Sequence, residues 1–144
     1  MKTFQIKNGD LVLAGDRYAM VEGVARVQQQ LGLGLREPFG GDRFHPGWGS
    51  MIPEWIGRTI QGGIQDEIRI EIIRVVRAHI MVQNGALKRA AASSQKTPIT
   101  MDEVISEITE IKFRQEQDNL IVKVGLRTAG FKEFSILTST AGAV

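Results

Sequence analysis

Cysteine is absent from this chain of 144 residues. That removes disulfides, thiol nucleophiles and thiolate metal sites together, and it is compatible with a reducing compartment. Histidine is scarce. His45 and His79 are the only two, and without HExxH-like spacing they predict no metal centre. Charge of one sign is also lacking: 18 basic against 16 acidic residues leave +2, so the sequence pI near 9.2 overstates any attraction to polyanions. The basic residues lie among acidic ones and form no electropositive stripe, so no nucleic-acid partner is expected. No apolar run is long enough to span a bilayer, and MKTFQIKNGDLVL has no signal-peptide core. A soluble protein made in the cytosol, with no membrane partner, is the expectation. No internal repeat is visible.

Catalytic signatures are missing as well. The glycines of GLGLREPFGGD follow neither GxGxxG nor GxxxxGK[ST], so no nucleotide cofactor is expected. Their plainer use is to permit turns and close packing. No serine sits in a nucleophile elbow. Glu37, Asp42 and Glu54 are the carboxylates from which a glycosidase pair would be drawn, and such a pair must stand about 5–9.5 Å apart. Arg36 beside Glu37 and Arg43 beside Asp42 read more simply as loop ion pairs. No catalytic, cofactor or metal residue is assigned. A small peptidoglycan hydrolase acting through Glu37 or Asp42 is the alternative from another class; a generic nucleic-acid module is weaker still.

What the chain does have is concentrated between Asp10 and Gly57. Met20, Val21, Val24, Val27 and Leu31 follow helical spacing. Asp16 is placed to cap a helix that Gly32 and Gly34 would end. The loop from 32 to 50 then mixes glycine with Pro38, Phe39, Phe44, Pro46 and Trp48. A loop of that length is uncommon in a compact domain and is usually functional or disordered, and its aromatic residues argue for order. Those rings could stack bases or sugars. With no basic groove, a small core combined with a protein interface is the better reading.

Around this segment the rest falls into place. Residues 1–15 read as a strand or a hairpin turning at Asn8-Gly9. Ser50–Gln61 predicts a short helix with Pro53 in its first turn. IQDEIRIEIIRVVRAHIMVQNG predicts a long helix with Ile64, Ile68, Ile72, Val75 and His79 on one stripe. Its acids lie early and its arginines late, as the macrodipole favours, and Glu71 stands three residues before Arg74. Asn84-Gly85 either ends this helix or is bridged by ALKRAAA. Ser93–Thr97 and Pro98 form a linker, and Thr100 with Glu103 suggests a capping box. Over 100–138 the pattern is strand-like. Ile111 and Phe113 share a face, a turn falls in Gln115–Asn119, and Leu120, Val122 and Val124 alternate in the clearest strand. After Ala129-Gly130, Phe131–Leu137 makes a last, edge-like strand with Phe131, Glu133, Ser135 and Leu137 on one face and Phe134 and Ile136 apart from each other. The tail STAGAV is expected to be loose. The fold class is α+β: N-terminal helices in 16–92, with the long helix packed on a small antiparallel meander, in one domain over 1–144.

In its order of features, GDLVLAGDRYAMVEGVARVQQQLGLGLREPFGGDRFHPGWGSMIPEWIG resembles the front half of the baseplate-wedge, or sheath-initiator, family of contractile phage tails. Members are often labelled "lysozyme-like", and relatives occur in type VI secretion and other contractile injection systems. The likeness rests on an Asp-Leu strand, a helix containing Val27, Gln29 and Leu31, and the Arg36–Gly40 run Arg-Glu-Pro-Phe-Gly. It continues through a long helix and a strand pair over Glu107–Arg127, so that it covers about 10–137. One departure matters. Many members carry Glu-Pro-Arg between long helix and strand pair, where this chain reads TPITMDEVISEITEIKF; contacts of that tripeptide cannot be carried over.

The resemblance implies a non-enzymatic subunit of a virion tail baseplate, made in the host cytoplasm and present in several copies in a ring. Its implied partners are a sheath protein, other wedge proteins and the tube or hub region. A sheath arm would complete the sheet by strand addition, at strands Leu120–Arg127 and Phe131–Leu137. Val122, Val124, Phe131 and Phe134 would shape that docking surface, while Phe39, Phe44 and Trp48 would contact a wedge neighbour.

Overall fold

The computed structural model describes residues 1–56, 62–96 and 99–140. The chain opens with three small antiparallel strand pairs, two of them hairpins. β1 (Lys2–Phe4) pairs with β6 (Met20–Glu22), β2 (Ile6–Lys7) with β3 (Asp10–Leu11), and β4 (Leu13–Ala14) with β5 (Arg17–Tyr18). Asn8 and Gly9 both have positive φ, 53° and 82°, as the tight turn expected there requires. Two-residue strands are not stable alone. Here a ring of backbone hydrogen bonds joins them: Gln5 N–H to the Ala19 carbonyl, Val12 N–H to that of Gln5, and Ala19 N–H to that of Val12, at 2.8–3.0 Å. Gln29 ties this module to the body, accepting from Ile6 N–H and donating to the Phe4 carbonyl, each at 2.8 Å.

The helix expected from Asp16 therefore starts later. Arg17–Tyr18 and Met20–Glu22 are strand, and Gly23, at φ 64°, turns the chain into α1 (Gly23–Arg36). Nor do Gly32 and Gly34 end it. A Cβ on Gly34 would lie 3.2 Å from the Trp48 ring, so this glycine lets the indole close on the helix. The stop comes from Pro38, which disfavours helical backbone at the residue before it; Glu37 is extended (φ −71°, ψ 127°).

A 3-10 turn, Ile52–Trp55, stands in place of the short helix expected over Ser50–Gln61, whose last five residues lie outside the described ones. α2 (Ile64–Ala92) runs 29 residues, straight through Asn84-Gly85. The alanines that follow are the best helix formers and outweigh a glycine penalty of about 1 kcal/mol. Its predicted stripe is the buried one: Ile64, Ile68, Ile72, Val75 and His79. Thr97 and Pro98 of the expected linker, and the tail from 141, lie outside the described residues. Glu103 accepts from Thr100 N–H at 2.9 Å, the back-reaching half of a capping box, on a turn rather than a helix.

β7 (Ile105–Glu116), β8 (Asn119–Thr128) and β9 (Glu133–Ser139) form one antiparallel sheet in the order β7-β8-β9. Phe113 pairs with Val122, Ile111 with Val124, Val124 with Ile136, and Leu126 with Phe134. Phe134 and Ile136, set on different faces in the sequence reading, share the inner one, as a spacing of two requires. That face meets Val27, Leu31 and Leu35 of α1 and Ile68, Ile72 and Val76 of α2 in one core. The outer face is charged. Arg127 bridges Glu107 and Glu133, and Glu110 meets Lys112 and Lys123. The architecture is α+β, two helices on a three-stranded antiparallel sheet, with a hairpin module where an earlier helix start was expected.

Candidate docking surfaces

The aromatic loop is ordered by its neck. Ser50 N–H donates to the Glu37 carbonyl at 2.8 Å and Phe39 N–H to that of Ser50 at 3.1 Å, while the Ser50 hydroxyl, fully buried, donates to the Leu35 carbonyl at 2.6 Å. The two ends are thus held together as in an Ω-loop. Gly49, at φ 104°, is required there: a Cβ would sit 2.7 Å from the carbonyl oxygens of both Glu37 and Pro38.

α2 grips this neck from the side. Arg74 donates to both oxygens of Glu71 at 2.7 and 2.9 Å and to the Gly49 carbonyl at 2.9 Å, and its guanidinium lies 5.1 Å from the Phe39 ring centroid. Glu71 in turn accepts from Met51 N–H at 2.8 Å. The Arg74 hydrogen bonds hold the Glu71 carboxyl below its ordinary range, helped by Met51 N–H and opposed by burial. The loop is presented rigidly, with Phe44 86% exposed at its tip, Phe39 half-exposed and Trp48 half-buried.

At the tip, Asp42 accepts from His45 Nδ1 at 2.9 Å and from Phe44 N–H at 2.8 Å. The His45 hydrogen bond, then that of Phe44, pulls its carboxyl down. A glycosidase acid needs the opposite, a raised carboxyl in an apolar pocket. The Glu37 carboxylate lies against Gly41. Among the described residues no group of three or more His, Asp or Glu could hold a metal, and no helix is long and apolar enough to cross a membrane.

The four sheet residues expected to face a partner do not act together. Val122 and Val124 lie on the central strand with their side chains buried in the core, so they cannot form a docking surface. Alternation alone could not distinguish a buried central strand from an exposed one. Phe134 packs half-buried on the same core. Phe131 stands 84% exposed in the β8–β9 turn, at φ 62°.

Two outer edges remain. On β9 the Ser135 carbonyl already accepts from the Gln28 side chain at 2.7 Å, so α1 occupies that edge in part. β7 is different. A groove of about 470 Å³ runs between it and α2, lined by Ile73, Val76, Arg77 and Ile80 on the helix and by 106–111 on the strand. Ile70 and Met81 extend the helix row and are exposed. Bulges at Ser106 and Thr109 interrupt the β7–β8 ladder beside this groove, a feature frequent at edges and sites. Sequence reading missed this surface. Its signal was that α2 is apolar on more than one stripe, which on a helix of a small protein marks a second contact. Compared with known families, curated proteins and solved structures, the chain matches none.

Proposed function

We propose that the chain is a structural assembly subunit of the contractile-tail baseplate type, which starts sheath assembly by taking an extended sheath arm onto its sheet as a further strand. The observation that carries this is the outer edge of β7 beyond Ile105, which runs beside the isoleucine row of α2. An added strand would bond the β7 backbone, and its inward side chains would cover Ile73 and Ile80. This moves the pairing edge from β9, expected on the resemblance, to β7, because Gln28 bonds β9 within the strand at Ser135, whereas Gln83 bonds β7 at its first residue, Ile105. The loop tip with Phe44 and Phe39 serves as the contact to a wedge neighbour, and repetition around the tail supplies the ring.

The reading is tested by reconstitution with the sheath protein. Ile73→Glu places a charge in the groove but leaves the core stripe of α2 intact, so the subunit stays folded and sheath initiation is lost. Since the chain has no cysteine, a single Thr109→Cys gives one cross-linking position, and its product is expected with the sheath arm. Normal initiation by Ile73→Glu, with no cross-link at 109, overturns the reading.

A further inference from the structure

A half-enclosed cavity of about 270 Å³ opens between α1, α2 and the Trp48 indole. Trp48, Val82 and Ala86 supply apolar wall, and Arg26, Gln30 and His79 supply polar groups. Arg26 is 4% exposed and His79 8%, so this polarity belongs to the interior. It is incompletely used. Arg26 donates through Nε to Glu103 at 2.9 Å and through Nη1 only to the Met1 sulfur at 3.3 Å, a weak acceptor. Its other N–H groups and the Gln30 amide meet no acceptor among the described residues, and His79 Nε2 is buried with no partner. A buried nitrogen such as His79 Nε2 is seldom left so, and the donors of Arg26 and Gln30 beside it line the cavity.

The chemistry of these groups selects the occupant. A guanidinium with spare N–H donors recognises a planar oxyanion. Glu103, the acid beside Arg26, is already engaged by Arg26 Nε and by Thr100 N–H and hydroxyl, and it does not line the cavity. Among the described residues no other acidic side chain lines it. The volume lies under the roughly 300–1,000 Å³ of sites for drug-sized molecules, which suits a group of amino-acid size. We propose that this cavity binds a carboxylate carried on a short branched apolar stem, the carboxylate on Arg26 and Gln30 and the stem against Trp48, Val82 and Ala86. A free short-chain acid and the C-terminal leucine of a polypeptide share this chemistry. The proposal does not rest on the strand-pairing reading.

The test is an NMR titration of the full chain, following the His79 imidazole and Trp48 indole signals. The probes are isovalerate, its neutral amide, and a Gly-Gly-Leu peptide with a free or an amidated C-terminus. Saturable shifts at both residues are expected with the acids, about tenfold weaker binding with the amides, and loss of binding in Ala86→Leu, which fills the cavity from a helical position. Gln30→Leu, which removes one donor at the half-buried rim, gives the same weakening should Ala86→Leu fail to fold. Binding of isovalerate alone assigns a small-molecule site, and binding of the free-acid peptide alone assigns a chain terminus. No saturable shift with either acid up to tens of millimolar, equal binding of acid and amide, or undiminished binding in folded Ala86→Leu overturns the proposal.

Discussion

His79 illustrates how one residue sets a condition on the whole. Burial, and then the charge of Arg26, lowers its pKa from 6.5 to about 4. The unfolded chain therefore binds the proton before the folded one does. The stabilisation is fully present above pH 6.5 and is lost as pH falls toward 4, on the order of 3 kcal/mol over that window. Urea unfolding of the wild type at pH 7, 5.5 and 4.5 should show this decline, and His79→Leu should flatten it; an equal decline in the variant would assign it to other groups. Glu71 and Glu103 act lower. Arg74 leads in depressing Glu71, while at Glu103 burial raises the carboxyl but is outweighed by the Thr100 N–H and Arg26. Their contribution is present above about pH 4.5 and is lost as each protonates on further acidification. Gly125 makes a different demand. A Cβ there would stand 2.6 Å from Thr109 Oγ1 and 2.7 Å from Glu110 Cγ, where β7 bulges. Gly125→Ala should cost about 1–3 kcal/mol by overpacking, measured by chemical denaturation; an unchanged midpoint would show that the bulge gives way freely.

At the scale of elements, the parts with a sustained period were legible. The α2 stripe, the alternation in β8, the Asn8-Gly9 turn and the Glu71–Arg74 spacing could be read from residue order, because each is settled within a few neighbours. The strands over 17–22 could not. Pairs of two or three residues carry no measurable period, and Met20 and Val21 fit a helical frame equally well. Gly34 read as a stop because its use, room for Trp48, depends on a loop folding back fourteen positions later. The docking groove and the cavity were hidden for the same reason, since they join residues distant in the chain. The neck of the aromatic loop tests this view of elements. Arg74→Ala removes the hydrogen bonds to Glu71 and Gly49 and the contact with Phe39. Hydrogen exchange of backbone amides in 39–49 should accelerate at least about tenfold, while those of β8 keep their protection. Unchanged exchange in the loop would mean that Ser50 alone holds it.

For the molecule as a whole, the arrangement separates surfaces by kind. The outer sheet face is covered with paired charges, α1 crosses to the β9 edge, and the aromatic loop projects from a clamped neck. Among the described residues, the β7 edge beyond Ile105 stays unpaired with an apolar helix row beside it, a hazard that proteins ordinarily cover or blunt. The proposed assembly role gives that edge an occupant. Its most direct measurement is a cryo-electron microscopy map of this chain assembled with the first sheath ring. A fourth strand from a sheath subunit, hydrogen-bonded along β7 with side chains over Ile73 and Ile80, is the expected result. A map in which the β7 edge stays bare, or in which the sheath contacts this subunit elsewhere, would contradict it.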